Sequence, residues 1–481
     1  MIVLKFGGTS VGTLEKVADS ATIIEAQPIP RVAVVSAASG VTNLLLEAAG
    51  LAARGDRAGA AAVAAKIHEK HAGILAGVTV SAEREAAAAV VDQLHARLDA
   101  SLDEVLAAGE LSNRLSDRIV STGEKAMSVM MAATLRSRGT PAAHVWADTV
   151  IATDDRFGSA RPLREETRAA AAKNVLPLCA QGLTVVMTGF IGFAPNGDTT
   201  TLGRGGSDYS ATLAGAAVDA TEVQIWTDVP GVLSADPRQV ADARVVPTVS
   251  FDEAQELAHF GAKVLHPRTI RPAVAQNIPV RILSTFAPDE PGTIVTREPA
   301  GEYVKAVTAL KGLTLVTVDV PELEDLSGAA SQVFGVFHDD RIEVVLAAQA
   351  SSRRRMTYLV DAARAGGCPS ISRRLEDALH DYEAEVSCNE DVAVVAAVGA
   401  GAAGQPQALV RMLGVLQRAN VTVLAANQQM SNVALVAAVH AADAQRAVDA
   451  IHAEFIKPQP ASARGRRPRR GELLAEAVSF G

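Results

Sequence analysis

Short apolar runs alternate with helical periodicities through the first part of the chain. Ile2 to Phe6 is an apolar run that ends in Gly7-Gly8-Thr9-Ser10. Leu14, Val17, Ala18, Ala21 and Ile24 then recur at helical spacing, and Val32 to Val35 is a buried-strand run closed by a small-residue turn at Ser36 to Gly40. This alternation predicts a parallel sheet covered by helices on both faces, with ligands beyond the carboxyl ends of the strands. From about Leu44 to Leu111 the strand signal gives way to Ala, Glu, Lys and Arg, which reads as a helical insertion. Strand signals return at Thr184 to Phe193 and at Val223 to Trp226. Pro288, Pro291, Gly292, Pro299 and Gly301 punctuate Phe286 to Gly301, which reads as a linker and domain boundary.

Beyond it, Leu313 to Val320, Ile342 to Ala347, Met356 to Val360, Val392 to Val398, Val421 to Ala425 and Val433 to Val439 read as strands. Helical stretches at Leu323 to Phe337, Arg364 to Tyr382 and Gln407 to Ala419 separate them, and two rough copies of a strand–helix–strand–strand–helix unit fit. After Ile456 come three prolines and the basic run Arg464 to Arg470. That segment has too little apolar surface to fold alone and reads as a solvated, disordered tail.

The chain has 481 residues, 48% hydrophobic and 21% charged, as expected of a soluble globular protein of several domains. Its net charge of −9 argues against a body that grips nucleic acid. No apolar run approaches the length of a membrane span, and the N-terminus lacks the pattern of a signal peptide. Cys179, Cys368 and Cys388 are far apart and odd in number, so free thiols in the cytoplasm are expected rather than a disulfide framework.

Lys5 precedes glycines at a strand end, where exposed amides attract phosphate. The stretch from Gly7 to Thr13 nearly matches a P-loop, but Gly12 stands at the lysine position. Alone, it reads equally as a tight strand–helix turn. Thr199 to Asp208 says more: Gly203, Gly205 and Gly206 interleave with Arg204 and precede Ser207 and Asp208. Arg204 offers a planar fork for a carboxylate or phosphate, and Asp208 can hold a metal or orient the lysine. The apolar helix Ala211 to Val218 aims its dipole at the same place. Trp226 to Gly231 with Asp236-Pro237-Arg238 reads as a nucleotide wall or as a turn with a surface ion pair. Lys263 lies near a helix boundary. Ser121 to Glu124 is a strand-end or helix-start carboxylate suited to an ammonium, or a helix cap. His68 and His71 lie three apart without a metal-binding pattern around them, and no separate metal cage is expected.

With these motifs in order, the chain resembles the aspartate kinases of the amino-acid-kinase family as far as Phe455. The carrying motifs are KFGGTSV at Lys5 to Val11, STGE at Ser121 to Glu124, DRFG at Asp155 to Gly158 and TTTLGRGGSD at Thr199 to Asp208. They continue with WTDVPG at Trp226 to Gly231, DPR at Asp236 to Arg238 and FGAKVLHP at Phe260 to Pro267. The match is closest to the single-function, lysine-sensitive type, with no second dinucleotide-binding domain expected. The resemblance implies an α/β amino-acid-kinase fold over 1–297, a mostly parallel sheet between helices with the helical insertion at about 44–115. Two ferredoxin-like α+β ACT domains would follow at 303–384 and 385–456, one inserted in the other so that Val304 to Leu310 pair with the second, before the basic tail at 457–481.

By resemblance, the γ-phosphoryl group of ATP passes to the β-carboxylate of L-aspartate, giving 4-phospho-L-aspartate at the entry to lysine, threonine, methionine and diaminopimelate. Lys5 would neutralise the transferring phosphate and Asp208 orient it. Arg204 would clamp an aspartate carboxylate, Glu124 bind its ammonium, and Thr42 and Ser207 donate hydrogen bonds. Gly7, Gly8, Thr227, Asp228, Asp236, Arg238 and Lys263 would line the ATP site, with Mg²⁺ arriving on the nucleotide. ACT pairing implies a homodimer or higher homo-oligomer and an amino-acid effector at its interface.

Two departures qualify that reading. Leu233 stands where the family usually has an aromatic against adenine. Val345 and Ser351 replace two acids of the lysine-sensitive relatives, and Arg353-Arg354-Arg355 follows, so feedback by lysine is expected to be weak or absent. The alternatives are another acidic substrate of the same family, or a catalytically weak subunit that senses amino acids; the retained Lys5, Arg204 and Asp208 oppose the latter.

Overall fold

The computed structural model describes residues 1–262, 266–298, 304–320, 326–350, 355–361, 366–401, 406–428 and 433–456. β1 (Ile2–Phe6), α1 (Leu14–Glu25) and β2 (Arg31–Val35) begin the chain. Four helices follow: α2 (Val41–Ala53), α3 (Arg57–Leu75), α4 (Ser81–Ala108) and α5 (Asn113–Ser137). β3 (Ala142–Val145), α6 (Arg164–Asn174), α7 (Leu176–Ala180) and β4 (Thr184–Thr188) return to the sheet. The hairpin of β5 (Ile191–Phe193) and β6 (Thr199–Thr201) leads into α8 (Gly206–Ala217) and β7 (Glu222–Thr227). Next come β8 (Thr248–Ser250), α9 (Phe251–His259), α10 (Pro267–Ala275), β9 (Val280–Ser284) and β10 (Thr293–Thr296).

Apart from the β5–β6 hairpin, which makes a two-stranded sheet of its own, these strands form one sheet in the order β3-β4-β2-β1-β7-β9-β10-β8. The pairs from β3 to β9 are parallel, while β10 runs antiparallel to β9 and parallel to β8. Every residue of β2 and β4 is buried, as a sheet covered on both faces requires. β1 lies between β2 and β7, so the chain leaves it in opposite directions and opens a crevice at its carboxyl end.

A second, antiparallel sheet is built from β11 (Ala306–Asp319), β12 (Glu343–Ala350), β13 (Arg355–Asp361), β14 (Glu385–Val398), β15 (Val423–Gln428) and β16 (Ala434–His440). Its order is β12-β13-β11-β14-β16-β15. α11 (Leu326–Asp339), α12 (Cys368–Ala378), α13 (Pro406–Arg418) and α14 (Ala444–Phe455) lie between or after its strands, and α14 was not foreseen from periodicity. Ala306 to Leu310 pair with Val394 to Val398, and past a register shift β11 continues to Asp319 between β13 and β14. The long β11 and β14 thus fuse what the spacing suggested as two copies into one sheet.

Three expectations are corrected. The segment Phe286 to Gly301, expected as a linker, contains β10, because its Pro and Gly residues make the return from β9 that an antiparallel neighbour needs. Cys368 and Cys388 form a disulfide, although free thiols were expected. The start of α12 lies against β14, bringing their Cα atoms to 5.7 Å, a proximity that a separation of 20 residues along the chain conceals. Ser121 to Glu124 neither ends a strand nor caps a helix. They lie inside α5, whose cap is Ser112, accepting from the Leu115 amide.

In the helical segment, His68 and His71 of α3 meet His95 of α4. The His71 Nδ1 and His95 Nε2 atoms are 2.9 Å apart, and the His68 and His95 rings stack with centroids 3.8 Å apart. Among the described residues no group of three or more His, Cys, Asp or Glu could hold a metal ion, and no helix is long and apolar enough to cross a membrane. The basic tail, Lys263, Ser351, Arg353 and Arg354 lie outside the described residues.

Candidate active site

A cleft of about 600 Å³ opens at the carboxyl ends of β1 and β2. Three chain turns converge on it: the Gly7–Gly8 turn after β1, the Ser36–Gly40 turn into α2, and the Gly203–Gly206 turn into α8. Two helices therefore begin at its wall, and their free amides and dipoles favour an anion. Gly8 allows the first two turns to touch, since a Cβ there would lie 2.8 Å from the Ala37 carbonyl oxygen. Gly205, with φ of +68°, supplies the left-handed residue from which α8 starts.

Lys5 reaches over this floor. Its Nζ lies 2.7 Å from Asp208 Oδ1 on the first turn of α8, so the ammonium is held by a carboxylate from a distant stretch of chain. This contact lets Asp208 orient the lysine, one of the two roles open to it. Ser207 and the exposed Arg204 line the cleft beside them, and Arg204 has no ion-pair partner among the described residues.

Glu124 enters from α5. It is 3% exposed, and its Oε2 has no hydrogen-bond partner among the described residues. Burial pushes its carboxyl up to about 8, against an opposing hydrogen bond from the Ala37 backbone. A buried acceptor left open toward a cleft calls for a cationic donor. Thr42, at the start of α2, lines the same cleft.

A layer of support lies behind. Asp117, 2% exposed, accepts from the Gly158 amide at 2.8 Å and from the Thr201 amide and hydroxyl at 2.9 and 2.8 Å. It ties the Asp155–Gly158 turn to β6, the strand that leads into the turn carrying Arg204. Lys125 pairs with Asp148 at 2.6 Å, and Asp148 also accepts from the Thr199 hydroxyl at 2.7 Å. Neither Asp117 nor Asp148 was singled out from sequence, for a lone acid in a helix or turn carries no pattern. Phe190 was missed too; it lines the cleft and occupies the space a side chain on Gly206 would need.

Eight of the expected residues thus meet on one cleft: Lys5, Gly7, Gly8, Thr42, Glu124, Arg204, Ser207 and Asp208. Thr227 ends β7, the strand beside β1, and its hydroxyl donates to Asp228 at 3.2 Å. Asp236 and Arg238 pair with each other at 2.6 Å on the loop that follows, outside the lining of the cleft. Leu233 is half-buried on that loop, bridged to Val245.

The amino acid kinase family profile matches residues 1–284, and an ACT domain profile matches residues 395–455. The maize chloroplastic bifunctional aspartokinase/homoserine dehydrogenase 1 is 33% identical over 94% of this chain and 50% of its own length. The chain spans about half the length of such bifunctional relatives. The lysine-sensitive aspartokinase 3 of Escherichia coli is 32% identical over 95% of this chain and 99% of its own. Among solved structures, E. coli aspartokinase III in complex with aspartate and ADP superposes with a TM-score of 0.78 at 31% identity, covering 95% of this chain and 100% of that one. The Clostridium acetobutylicum aspartate kinase, at 22% identity and a TM-score of 0.79, shares the fold.

Proposed function

Since this chain belongs to the amino acid kinase family, with aspartokinases among its relatives, we propose that it transfers the γ-phosphoryl group of ATP to the β-carboxylate of L-aspartate, giving 4-phospho-L-aspartate and ADP. The observation that carries this reading is the buried Oε2 of Glu124 on the same cleft as the guanidinium of Arg204, neither having a partner among the described residues. An α-amino acid offers an ammonium to the first and a carboxylate to the second. Its side-chain carboxylate is then left for Lys5.

The chemistry needs no general base, because the nucleophile is already ionised. An aspartate Oδ forms a bond to the γ-phosphorus as the bond from phosphorus to the bridging β,γ-oxygen breaks, and ADP leaves with that electron pair. Both reactants are anions, so catalysis lies in positioning and charge neutralisation. Lys5, fixed by Asp208, neutralises the phosphoryl oxygens; Thr42, Ser207 and the amides of the two helix starts supply hydrogen bonds. Gly7, Gly8, Thr227, Asp228, Asp236, Arg238 and Lys263 serve the nucleotide. Mg²⁺, when bound, supplies further charge neutralisation on the phosphates. The donor set fits an ion carried by the nucleotide, since the two carboxylates lining the cleft are Asp208, paired with Lys5, and the buried Glu124.

We assign residues 1–297 to catalysis and the segments 303–384 and 385–456 to regulation as ACT domains, acting in a homodimer or higher homo-oligomer in the cytoplasm. Lysine feedback is weak or absent. Val345, where a lysine ammonium would want an acid, is 8% exposed among apolar neighbours. The test is a hydroxamate assay with ATP, Mg²⁺ and either L-aspartate or succinate. Acyl phosphate from aspartate and little from succinate, which lacks the ammonium, is expected; equal rates would overturn the assignment of Glu124.

A further inference from the structure

A second cavity, of about 670 Å³, shares no lining residue with the active-site cleft. It abuts the back of the same Gly203–Gly206 turn, since side chains on Gly203 and Gly205 would meet Ser159 and Thr269. Five arginines face it: Arg156, Arg161, Arg164, Arg268 and Arg271. In a chain of net charge −9 this is a concentrated positive field.

The walls are held in place. Arg156 and Arg161 sit on a loop closed on itself: the Asp154 amide donates to Arg161 O at 2.9 Å, and the Arg161 amide donates to Asp154 Oδ1 at 2.8 Å. Arg268 and Arg271, three apart on α10, share a helix face. The Arg268 guanidinium lies 5.3 Å from the Tyr209 ring centroid and donates to the Ser159 hydroxyl at 3.3 Å and the Ala160 carbonyl at 3.2 Å. Asp154, an acid of the same loop, is engaged there and pairs with Arg156 at 3.5 Å, and no acid among the described residues lines the cavity. Among the described residues Arg161, Arg164 and Arg271 have no ion-pair partner.

A solvated surface spreads like charges apart; here they are gathered around a concavity of small-molecule size. Guanidinium forks from three elements suit the several oxygens of a polyphosphate, which each can bind in bidentate fashion. We propose that this cavity is a binding site for a di- or triphosphate anion, separate from the catalytic cleft. Free inorganic polyphosphate and the phosphate tail of a nucleotide share that chemistry.

The test is phenylglyoxal labelling of the full chain, read arginine by arginine by mass spectrometry, with inorganic triphosphate, a non-hydrolysable ATP analogue, or neither. Labelling of Arg161, Arg164 and Arg271 should slow at least fivefold. Protection by triphosphate alone assigns free polyphosphate, and protection by the analogue assigns a nucleotide. Unchanged labelling of all three under both anions overturns the site, whatever happens at Arg204 in the cleft. In an Arg161→Gln, Arg271→Gln chain the protection of Arg164 should vanish; its persistence would also overturn the site.

Discussion

Glu253 Oε2 lies 2.7 Å from Lys305 Nζ, with side chains 1% and 5% exposed, and Glu253 Oε1 accepts the Ala400 amide at 2.7 Å. One carboxylate on α9, already part of the helix's capping box, therefore anchors two points of the second sheet unit on the first. Lys305→Met would leave that carboxylate buried without its cation, at a cost of about 3–5 kcal/mol. Urea denaturation should show the loss, and adding Glu253→Leu should recover much of it. Additive losses in the double variant would argue that the two side chains act independently.

Lys5 should matter to the reaction rather than to substrate binding. Lys5→Met is expected to lower kcat about 10²–10³-fold, the ~3–4 kcal/mol of one aimed charge, with a smaller change in the KM for aspartate. Steady-state kinetics decide this, and a variant retaining near-full kcat would remove Lys5 from the phosphoryl site.

Glu124 links stability and aspartate binding to pH. Its folded pKa of about 8 stands above the ordinary 4.5, so its contribution to stability is fully present below 4.5 and is lost as pH rises from there through 8. Glu124→Gln should leave the ligand-free chain more stable than wild type at pH 8. It should also weaken aspartate binding by about 1.5–3 kcal/mol, the worth of a charged hydrogen bond. Calorimetry in buffers of different ionisation heat should show proton release when aspartate binds at pH 7. The absence of any buffer dependence would contradict a protonated Glu124.

The histidines of α3 and α4 set an acid limit on the helical segment. Burial lowers His71 to about 3 and His95 to about 4, helped by neighbouring histidines and opposed at His95 by Asp92. These folded values lie below the ordinary 6.5, so the stability they contribute is present above 6.5 and is lost as pH falls toward 4, by about 1.4 kcal/mol per group per pH unit. Thermal melts followed by circular dichroism should shift down steeply across that window. His71→Leu should blunt the shift; equal acid sensitivity in the two chains would place the limit elsewhere.

Lysine should inhibit weakly or not at all, because Val345 presents no charge to an ammonium. Titrating lysine into the aspartate-phosphorylation assay checks this, and strong inhibition below a millimolar would defeat it.

Lys5, Arg204 and Asp208 could be singled out from sequence because glycine runs at strand ends leave a local pattern: small residues, then a charge, then a helical periodicity. The alternation of strands and helices in the first part of the chain was legible for the same reason. Glu124 was singled out as a carboxylate suited to an ammonium, but at a strand end or helix start rather than inside α5. Its place inside a helix means that its role comes from the turn α5 packs against, and no spacing within STGE records that.

What the order of residues determined by itself is the set of elements and the chemistry each carries, since periodicity and turn residues act over a few positions. Only the tertiary structure decided which of them meet. The pairing of Lys5 with Asp208, the disulfide between Cys368 and Cys388, the strand inside the expected linker and the gathering of five arginines all join segments through sheet order and helix packing. Such contacts follow from burial of whole faces against one another, a long-range balance that no local stretch of the chain contains.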